Sequence, residues 1–122
     1  MFGFGDAKDV RDEVYDGEVH QSKLSHELIG SAAAFEGMRI WEKEQRKEGK
    51  PVNHGVAKEL LAAAVGFEVD KLLETKGLDF IDREKAKHHA KKQAEHLYEQ
   101  HYGEQDNYNP NGQEPPRHFE GY

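Results

Sequence analysis

Residues 24–39 read LSHELIGSAAAFEGMR, and residues 56–71 read VAKELLAAAVGFEVDK. The two stretches align without a gap. The identical positions include Leu28 with Leu60, Ala32 with Ala64, Phe35 with Phe67, and Glu36 with Glu68. An internal repeat of this kind indicates two helices of similar design that pack as a hairpin. It predicts architecture, and it carries no chemistry of its own.

The overall composition limits this chain of 122 residues to one domain with a modest core. Hydrophobic residues make up 35% of the chain, charged residues make up 34%, and the mean hydropathy is −1.00. Such a composition is poor in core-forming side chains. We therefore expect long helices that stay partly exposed, or a core that a partner subunit completes.

The net charge of −7 argues against binding to nucleic acid, which requires an excess of lysine and arginine. The acidic excess lies at the two ends of the chain. Residues 1–19 carry six acids and two bases, and residues 103–122 carry four acids and one base. Residues 20–102 are balanced, with 14 charges of each sign. The acidic ends favour solubility.

Cysteine is absent from the sequence, which excludes disulfides and thiol catalysis. No apolar run approaches the length of a membrane span. The first ten residues, MFGFGDAKDV, lack the basic-then-apolar order of a signal peptide. We therefore expect a soluble cytoplasmic protein without a membrane span.

The hydrophobic spacing predicts an all-α fold, an antiparallel three-helix bundle built on the helical hairpin repeat. A short N-terminal helix is expected at about 6–15. Three long helices are expected at about 22–48, 53–76 and 79–102, each with a capping side chain before it and a glycine after it. The expected capping residues are Ser22, Asn53 and Asp79, and the expected terminal glycines are Gly49, Gly77 and Gly103.

The composition changes at residue 103, where the helical period ends and proline, glycine and asparagine become frequent. We therefore divide the chain into a helical bundle domain at 1–102 and an extended tail at 103–122.

Apolar residues in the first two long helices recur at the spacing of a buried face. The stripe of the first helix includes Leu24, Leu28, Ala32, Phe35 and Met38. The stripe of the second helix consists of Val56, Leu60, Ala63, Ala64 and Phe67. Small residues in the middle of each stripe predict a close approach of the two helix axes, with Phe35 and Phe67 as the bulky contacts.

Three segments are specific enough to indicate a family: AAAFE at 32–36, EVDKLLETKGLDFIDREKAK at 68–87 and QAEHLYEQHY at 93–102. In these segments the chain resembles the fungal CipC-type family, named for induction by the antibiotic concanamycin. The resemblance covers about residues 3–102 and leaves the tail outside. It implies an association with antibiotic and stress response, and it transfers no biochemical activity or catalytic residue to this sequence.

Two glutamates, Glu36 and Glu68, fall inside the apolar arcs of the repeat. Arg39 and Lys71 follow them by three residues. A half-buried carboxylate must be paired or have a raised pKa. One interpretation is a pair of carboxylates that binds a metal or moves a proton. The other is a set of ion pairs, within each helix or crossed between the two helices, that sets the helix register.

Histidine is frequent in the third long helix, where four of the eight histidines lie within 88–101. The candidate metal ligands are His89, His96 and His101. His89 and His96 are separated by about 10.5 Å along a helix axis, so one ion cannot bind both without help. The Glu-x-x-His spacing of di-iron bundles is absent from the sequence. The sequence therefore identifies no definite metal site and implies no cofactor.

Trp41 is expected on the far side of the first long helix, away from its main apolar stripe. An exposed tryptophan indicates contact with a partner, or a docking point for the N-terminal segment or the tail. In the tail, Tyr108, Phe119 and Tyr122 are expected to pack on the bundle or to contact a partner. With the poor core, these aromatic residues favour a homo-oligomer or a complex with another protein.

Together with the stress and antibiotic response that the resemblance implies, the sequence favours a small protein without a catalytic site, which acts by protein binding or self-assembly. No nucleophile–base pair or glycine-rich phosphate loop occurs in the sequence. The alternative is a helical protein that binds a metal or small ligand through inward Glu and His residues, and an enzyme is included in this alternative. The alternative requires these side chains to converge on one cavity.

Overall fold

Four α-helices make up most of the computed structural model, which describes residues 3–16, 25–78, 81–110 and 116–119. The helices are α1 (Phe4–Asp16), α2 (His26–Glu48), α3 (His54–Lys76) and α4 (Arg83–Tyr102), and a short 3₁₀ helix spans Arg117–Phe119. Within these ranges the chain forms no β-strand, although Val52 and Tyr108 form an isolated antiparallel bridge. The prediction of an all-α protein is confirmed.

The helix ends follow from capping chemistry. The side chain of Asn53 accepts a hydrogen bond from the Val56 amide at 2.8 Å, as expected for the start of α3. Gly49 and Gly77 have φ of 69° and 65°, the left-handed geometry that ends α2 and α3. These three predicted boundaries are therefore correct.

Two predicted helix starts differ from the structure. Helix α2 is capped by Ser25, whose Oγ accepts from the Leu28 amide at 3.2 Å. Helix α4 is capped by Asp82, whose carboxylate accepts from two backbone amides of the first turn. The residues predicted for these caps, Ser22 and Asp79, lie outside the described residues. In both helices a second capping residue, three positions further on, takes the role.

Helix α2 is the central element, because α1, α3 and α4 all pack against it, and α3 also contacts α4. Helix α1 buries Phe4, Ala7 and Val14, so it is a full member of the core. The five-residue connection at 49–53 joins α2 to α3. Glycines of α2 allow its neighbours to approach the backbone of the helix directly.

Two glycines of α2 mark these close approaches. A Cβ on Gly37 would lie 2.9 Å from Cα of Val65 in α3. A Cβ on Gly30 would lie 2.8 Å from Cβ of His89 and 3.0 Å from the backbone nitrogen of Ala90 in α4. Both contacts are shorter than a real side chain tolerates, so α2 accepts its neighbours only because these positions lack side chains.

The prediction that both repeat stripes face the core is wrong for α3. Phe35 is fully buried, whereas its repeat partner Phe67 is 68% exposed. Val56 and Leu60 are also exposed. Helix α2 is covered by α1, α3 and α4, whereas α3 packs mainly against α2 and α4, and one side of α3 is therefore left open.

The described part of the tail packs on the helices. Val52 and Tyr108 exchange two backbone hydrogen bonds of 2.9 Å, and Tyr108 is fully buried. The Phe119 ring lies 5.0 Å from that of Phe35 and 5.8 Å from that of Phe4. Tyr122 lies outside the described residues, and the division of the chain at residue 102 stays a prediction.

We predict that Gly37→Ala destabilises the protein by about 1–3 kcal/mol, the usual cost of inserting a methyl group into a packed contact. Gly66→Ala is the matched control, because a Cβ there would meet only the flexible end of Lys91, at 3.5 Å. Helix propensity favours alanine by about 1 kcal/mol at both positions, so the control is expected to gain stability. Urea unfolding measures both changes, and equal effects would contradict the close α2–α3 contact.

Candidate functional site

The repeat glutamates line a cavity of about 260 Å³ bordered by α1, α2 and α3. Its charged lining residues are Arg11, Glu36, Arg39, Glu68, Lys71 and Lys76. Four of these side chains are cationic and two are anionic. The structure therefore brings the four sequence-predicted polar residues together, and it adds Arg11 from α1 and Lys76 from the end of α3.

Glu36 is 4% exposed, and two guanidinium groups neutralise its carboxylate. Arg11 Nε donates to Glu36 Oε2 at 2.5 Å, and Arg39 Nε donates to Oε1 at 2.8 Å. Burial lowers the pKa of Arg11, but its hydrogen bond and attraction to Glu36 outweigh this effect, and the net pKa is raised. The Glu36–Arg39 contact has the spacing expected from the sequence, whereas the Arg11 contact was not predicted.

Glu68 is 3% exposed and has a different partner from Glu36. Its Oε1 accepts a hydrogen bond from the Tyr15 hydroxyl at 2.7 Å. Burial, and then the negative charge of Glu68, raise the pKa of Tyr15, which therefore keeps its proton. The guanidinium of Arg11 lies 4.9 Å from the centre of the Tyr15 ring. Through Arg11 and Tyr15, α1 supplies partners to both glutamates.

Lys71 lines the cavity but is exposed, and no ion pair joins it to Glu36 or Glu68 in the described part of the chain. The expected pairs Glu68–Lys71 and Glu36–Lys71 are therefore not found there. Arg11 and Tyr15 escaped the sequence reasoning because their partners lie 25 and 53 residues away along the chain. In the sequence, only their spacing of four residues on one short helix indicates that Arg11 and Tyr15 lie on the same face.

The three candidate histidines do not line this cavity. His101 packs with its ring centre 6.0 Å from that of Phe4 and 4.6 Å from that of Tyr102. His89 lies beside Gly30, where α4 crosses α2. Within the ranges that the structure describes, no group of three or more His, Cys, Asp or Glu side chains is placed to hold a metal ion. The Glu and His residues therefore do not form the joint site that the alternative hypothesis requires.

The expectation that Trp41 is exposed is wrong, because it is 4% exposed. Its ring centre lies 4.8 Å from that of Tyr108 and 6.1 Å from that of Tyr98. The polar tail folds back and covers Trp41, an arrangement that the helical period does not reveal. Of the roles considered for Trp41, the structure places it as the docking point for the tail.

A third buried carboxylate, Glu42, follows Trp41 in α2 and was not singled out in the sequence. It is 2% exposed and accepts hydrogen bonds from the Tyr102 hydroxyl at 2.7 Å and from Arg46 Nε at 3.2 Å. Arg46 also donates to the carbonyl oxygen of Pro110 at 2.7 Å. Glu42 and Arg46 are four residues apart on α2, so they join α4 and the tail to the central helix.

His54 forms a further connection to the tail. Its Nδ1 lies 2.5 Å from the Tyr98 hydroxyl, and its Nε2 lies 2.5 Å from the carbonyl oxygen of Gln105. A carbonyl oxygen can only accept, so Nε2 donates to Gln105, and in the tautomer protonated at Nε2 the Tyr98 hydroxyl donates to Nδ1. His54 therefore links α3 to α4 and to the tail, because each of its ring nitrogens has a hydrogen-bond partner.

A family model described as Virulence factor CipC-like matches residues 10–101. The matched range includes the whole of α2 and α3 and the cavity residues from Arg11 to Lys76. Neither a curated protein nor a solved structure matches the chain. Among the helices of the described ranges, none combines the length and apolar character needed to cross a membrane.

We predict that Glu36→Gln lowers the free energy of unfolding by about 2–3 kcal/mol, because two partly buried guanidinium groups lose the buried carboxylate that they share. Glu68→Gln is the matched control at the equivalent repeat position. The amide oxygen of that variant still accepts the Tyr15 hydroxyl, so its cost is expected to stay below about 1 kcal/mol. Chemical denaturation of both variants measures the difference, and an equal loss would contradict the unequal pairing of the two glutamates.

We predict that the protein loses stability steeply above about pH 10, the ordinary pKa of tyrosine. Burial, followed by neighbouring carboxylates, raises the pKa of the four tyrosines Tyr15, Tyr98, Tyr102 and Tyr108. The unfolded chain releases its tyrosine protons at a lower pH than the folded chain does. The contribution of these hydroxyls to the free energy of unfolding is therefore complete below about pH 9 and is lost as the pH rises. Each tyrosine contributes about 1.4 kcal/mol per pH unit to the slope.

The measurement is the free energy of unfolding between neutral and strongly alkaline pH. Tyr102→Phe is expected to reduce the alkaline slope by about one proton, or about 1.4 kcal/mol per pH unit, whatever its effect at neutral pH. A free energy of unfolding that stays constant through the ordinary tyrosine pKa would contradict the burial of these hydroxyls.

Proposed function

Because the chain belongs to the family of CipC-like virulence factors, we propose that it is a stress- and antibiotic-response protein that acts by self-assembly. The observation that carries this proposal is the exposed apolar side of α3. We propose that a second copy of the chain covers this side. The long helices α2, α3 and α4 are taken to run antiparallel, as the five-residue connection at 49–53 favours.

The outer face of α3 consists of Val56, Leu60, Ala63 and Phe67, at spacings of four, three and four residues. All four residues are exposed, and Phe67 exposes more than half of its surface. Scattered exposed apolar residues are ordinary on a protein surface, whereas a continuous stripe over three helical turns is typical of an interaction site. The face points away from the neighbours of α3.

Charge supports a second copy as the partner. Two copies of a molecule with a net charge of −7 repel each other, and they associate most easily where neither copy carries an excess of charge. Residues 54–67 contain one lysine and one glutamate, so this segment has no net charge apart from its histidine. The lysine, Lys58, is already paired with Glu99 of α4. The acidic excess lies in the terminal segments.

The shape of the outer face also suits self-association. Ala63 lies between the larger Leu60 and Phe67, so the face has a shallow depression at the small alanine. In a dimer with two-fold symmetry, each copy presents the same patch, and the large side chains of one copy lie against the small position of the other. The repeat supports this arrangement, because Phe35 of α2, the repeat partner of Phe67, is fully buried by other elements of the same chain.

We predict that Phe67→Glu weakens self-association at least tenfold, because it removes the aromatic side chain of the face and places two like charges at the interface. Phe67 is largely exposed in the single chain, so the free energy of unfolding of the monomer is expected to change by less than about 0.5 kcal/mol. Sedimentation equilibrium over a range of protein concentrations measures the dissociation constant.

Gln100→Glu is the matched control, because it adds the same charge at an exposed position of α4 away from the outer face. Its dissociation constant is expected to equal that of the unchanged protein. A monomer at all concentrations, or an oligomer that both variants weaken equally, would contradict assembly through α3.

A further inference from the structure

We infer that the cavity between α1, α2 and α3 binds a small organic oxyanion, a carboxylate or a phosphate ester with a short apolar body. This site is separate from the outer face of α3. Neither the sequence repeat nor the family match assigns a ligand to it. The inference rests on the local charge, on the donors at the cavity and on its size.

The lining of the cavity is rich in cations, although the chain as a whole is acidic. Four cationic and two anionic side chains line it, in a chain of net charge −7. The charge of the two arginines is compensated, because Arg11 and Arg39 share the carboxylate of Glu36, and Arg11 also pairs with Asp12 and Asp16 outside the lining. The two lysines of the lining are on α3 and form no ion pair with a described residue. Cations beside a concave site raise the local concentration of anions.

The donors suited to an oxyanion are Lys71, Thr75 and Lys76. No described residue forms an ion pair or a hydrogen bond with the ammonium of Lys71 or the hydroxyl of Thr75. The ammonium of Lys76 donates to the carbonyl oxygen of Tyr15 at 3.2 Å, and this neutral acceptor leaves its charge uncompensated. Two ammonium groups and a hydroxyl at positions 71, 75 and 76 of α3 match the several acceptor oxygens of a carboxylate or phosphate.

The remaining lining defines the body of the ligand. Ile40 of α2 and Leu72 of α3 contribute apolar surface beside the charged groups. A volume of about 260 Å³ lies just below the usual range for ligand pockets, so the site accepts a single ring or a short aliphatic chain. A large polycyclic or macrocyclic compound does not fit. The structure therefore favours a small acid with one anionic head group as the ligand.

Isothermal titration calorimetry of the whole chain tests this inference with three probes: benzoate, phenyl phosphate and benzyl alcohol. The two anions share the apolar body of the neutral alcohol, so the comparison isolates the contribution of the charged head. We expect saturable binding of at least one anion, at one site per chain, and at least tenfold weaker binding of the alcohol. The relative affinity of benzoate and phenyl phosphate then identifies the preferred head group.

The double variant Lys71→Gln with Lys76→Gln is expected to weaken anion binding at least tenfold. Its matched control is Lys85→Gln with Lys92→Gln, which removes the same charge from exposed positions of α4 outside the cavity. The control is expected to bind with unchanged affinity. Circular dichroism confirms that both variants keep their helices, so a loss of binding reports on the site.

Three outcomes would overturn the inference: no saturable binding of either anion, equal weakening by the two double variants, or equal binding of benzyl alcohol. The Phe67→Glu variant separates this test from the proposed self-assembly, since its substitution lies on the outer face. We expect it to bind the anion with the affinity of the unchanged chain. Loss of anion binding in that variant would show that the cavity depends on assembly, and the inference would fail for the single chain.

Discussion

The close packing of α2 against its neighbours is the constraint on which the rest of the structure depends. Gly30 and Gly37 bring α4 and α3 close to the backbone of α2, and α1 covers a further side. A helix enclosed in this way buries its polar side chains together with its apolar ones. Glu36 and Glu42 are both almost fully buried as a result, and each then requires a partner from another part of the chain.

These partners determine how the outer segments attach. An unpaired buried carboxylate is disfavoured by several kcal/mol, whereas an exposed pair such as Lys58–Glu99 contributes about 0–1 kcal/mol. Glu36 therefore attracts Arg11 and orients α1. Glu42 accepts from the Tyr102 hydroxyl and pairs with Arg46, which also binds the backbone of the tail. The short terminal helix and the tail are consequently parts of the core, because they complete the polar contacts of the central helix.

Helix α3 has two sides with different roles. Its inner side packs against α2, and the helix contributes Glu68 and the two lysines of the cavity. Its outer side carries the apolar stripe around Phe67. The proposed self-association through the outer side and the proposed anion binding at the cavity use separate residues of one helix. The two proposals are independently testable, although Glu68 of the cavity directly follows Phe67 of the outer face in the sequence.

The sequence by itself determined the helices and several of their ends, because capping by Asn53 and the left-handed glycines Gly49 and Gly77 depend on local chemistry. It also placed Glu36 and Glu68 on buried faces. Only the tertiary structure decided which side of α3 stays exposed and that the tail covers Trp41. It alone also brought Arg11 and Tyr15 to the glutamates. The repeat makes Phe35 and Phe67 locally equivalent, but a periodic pattern does not specify how many neighbours each helix has. Contacts between residues 25 to 60 positions apart leave no trace in that pattern.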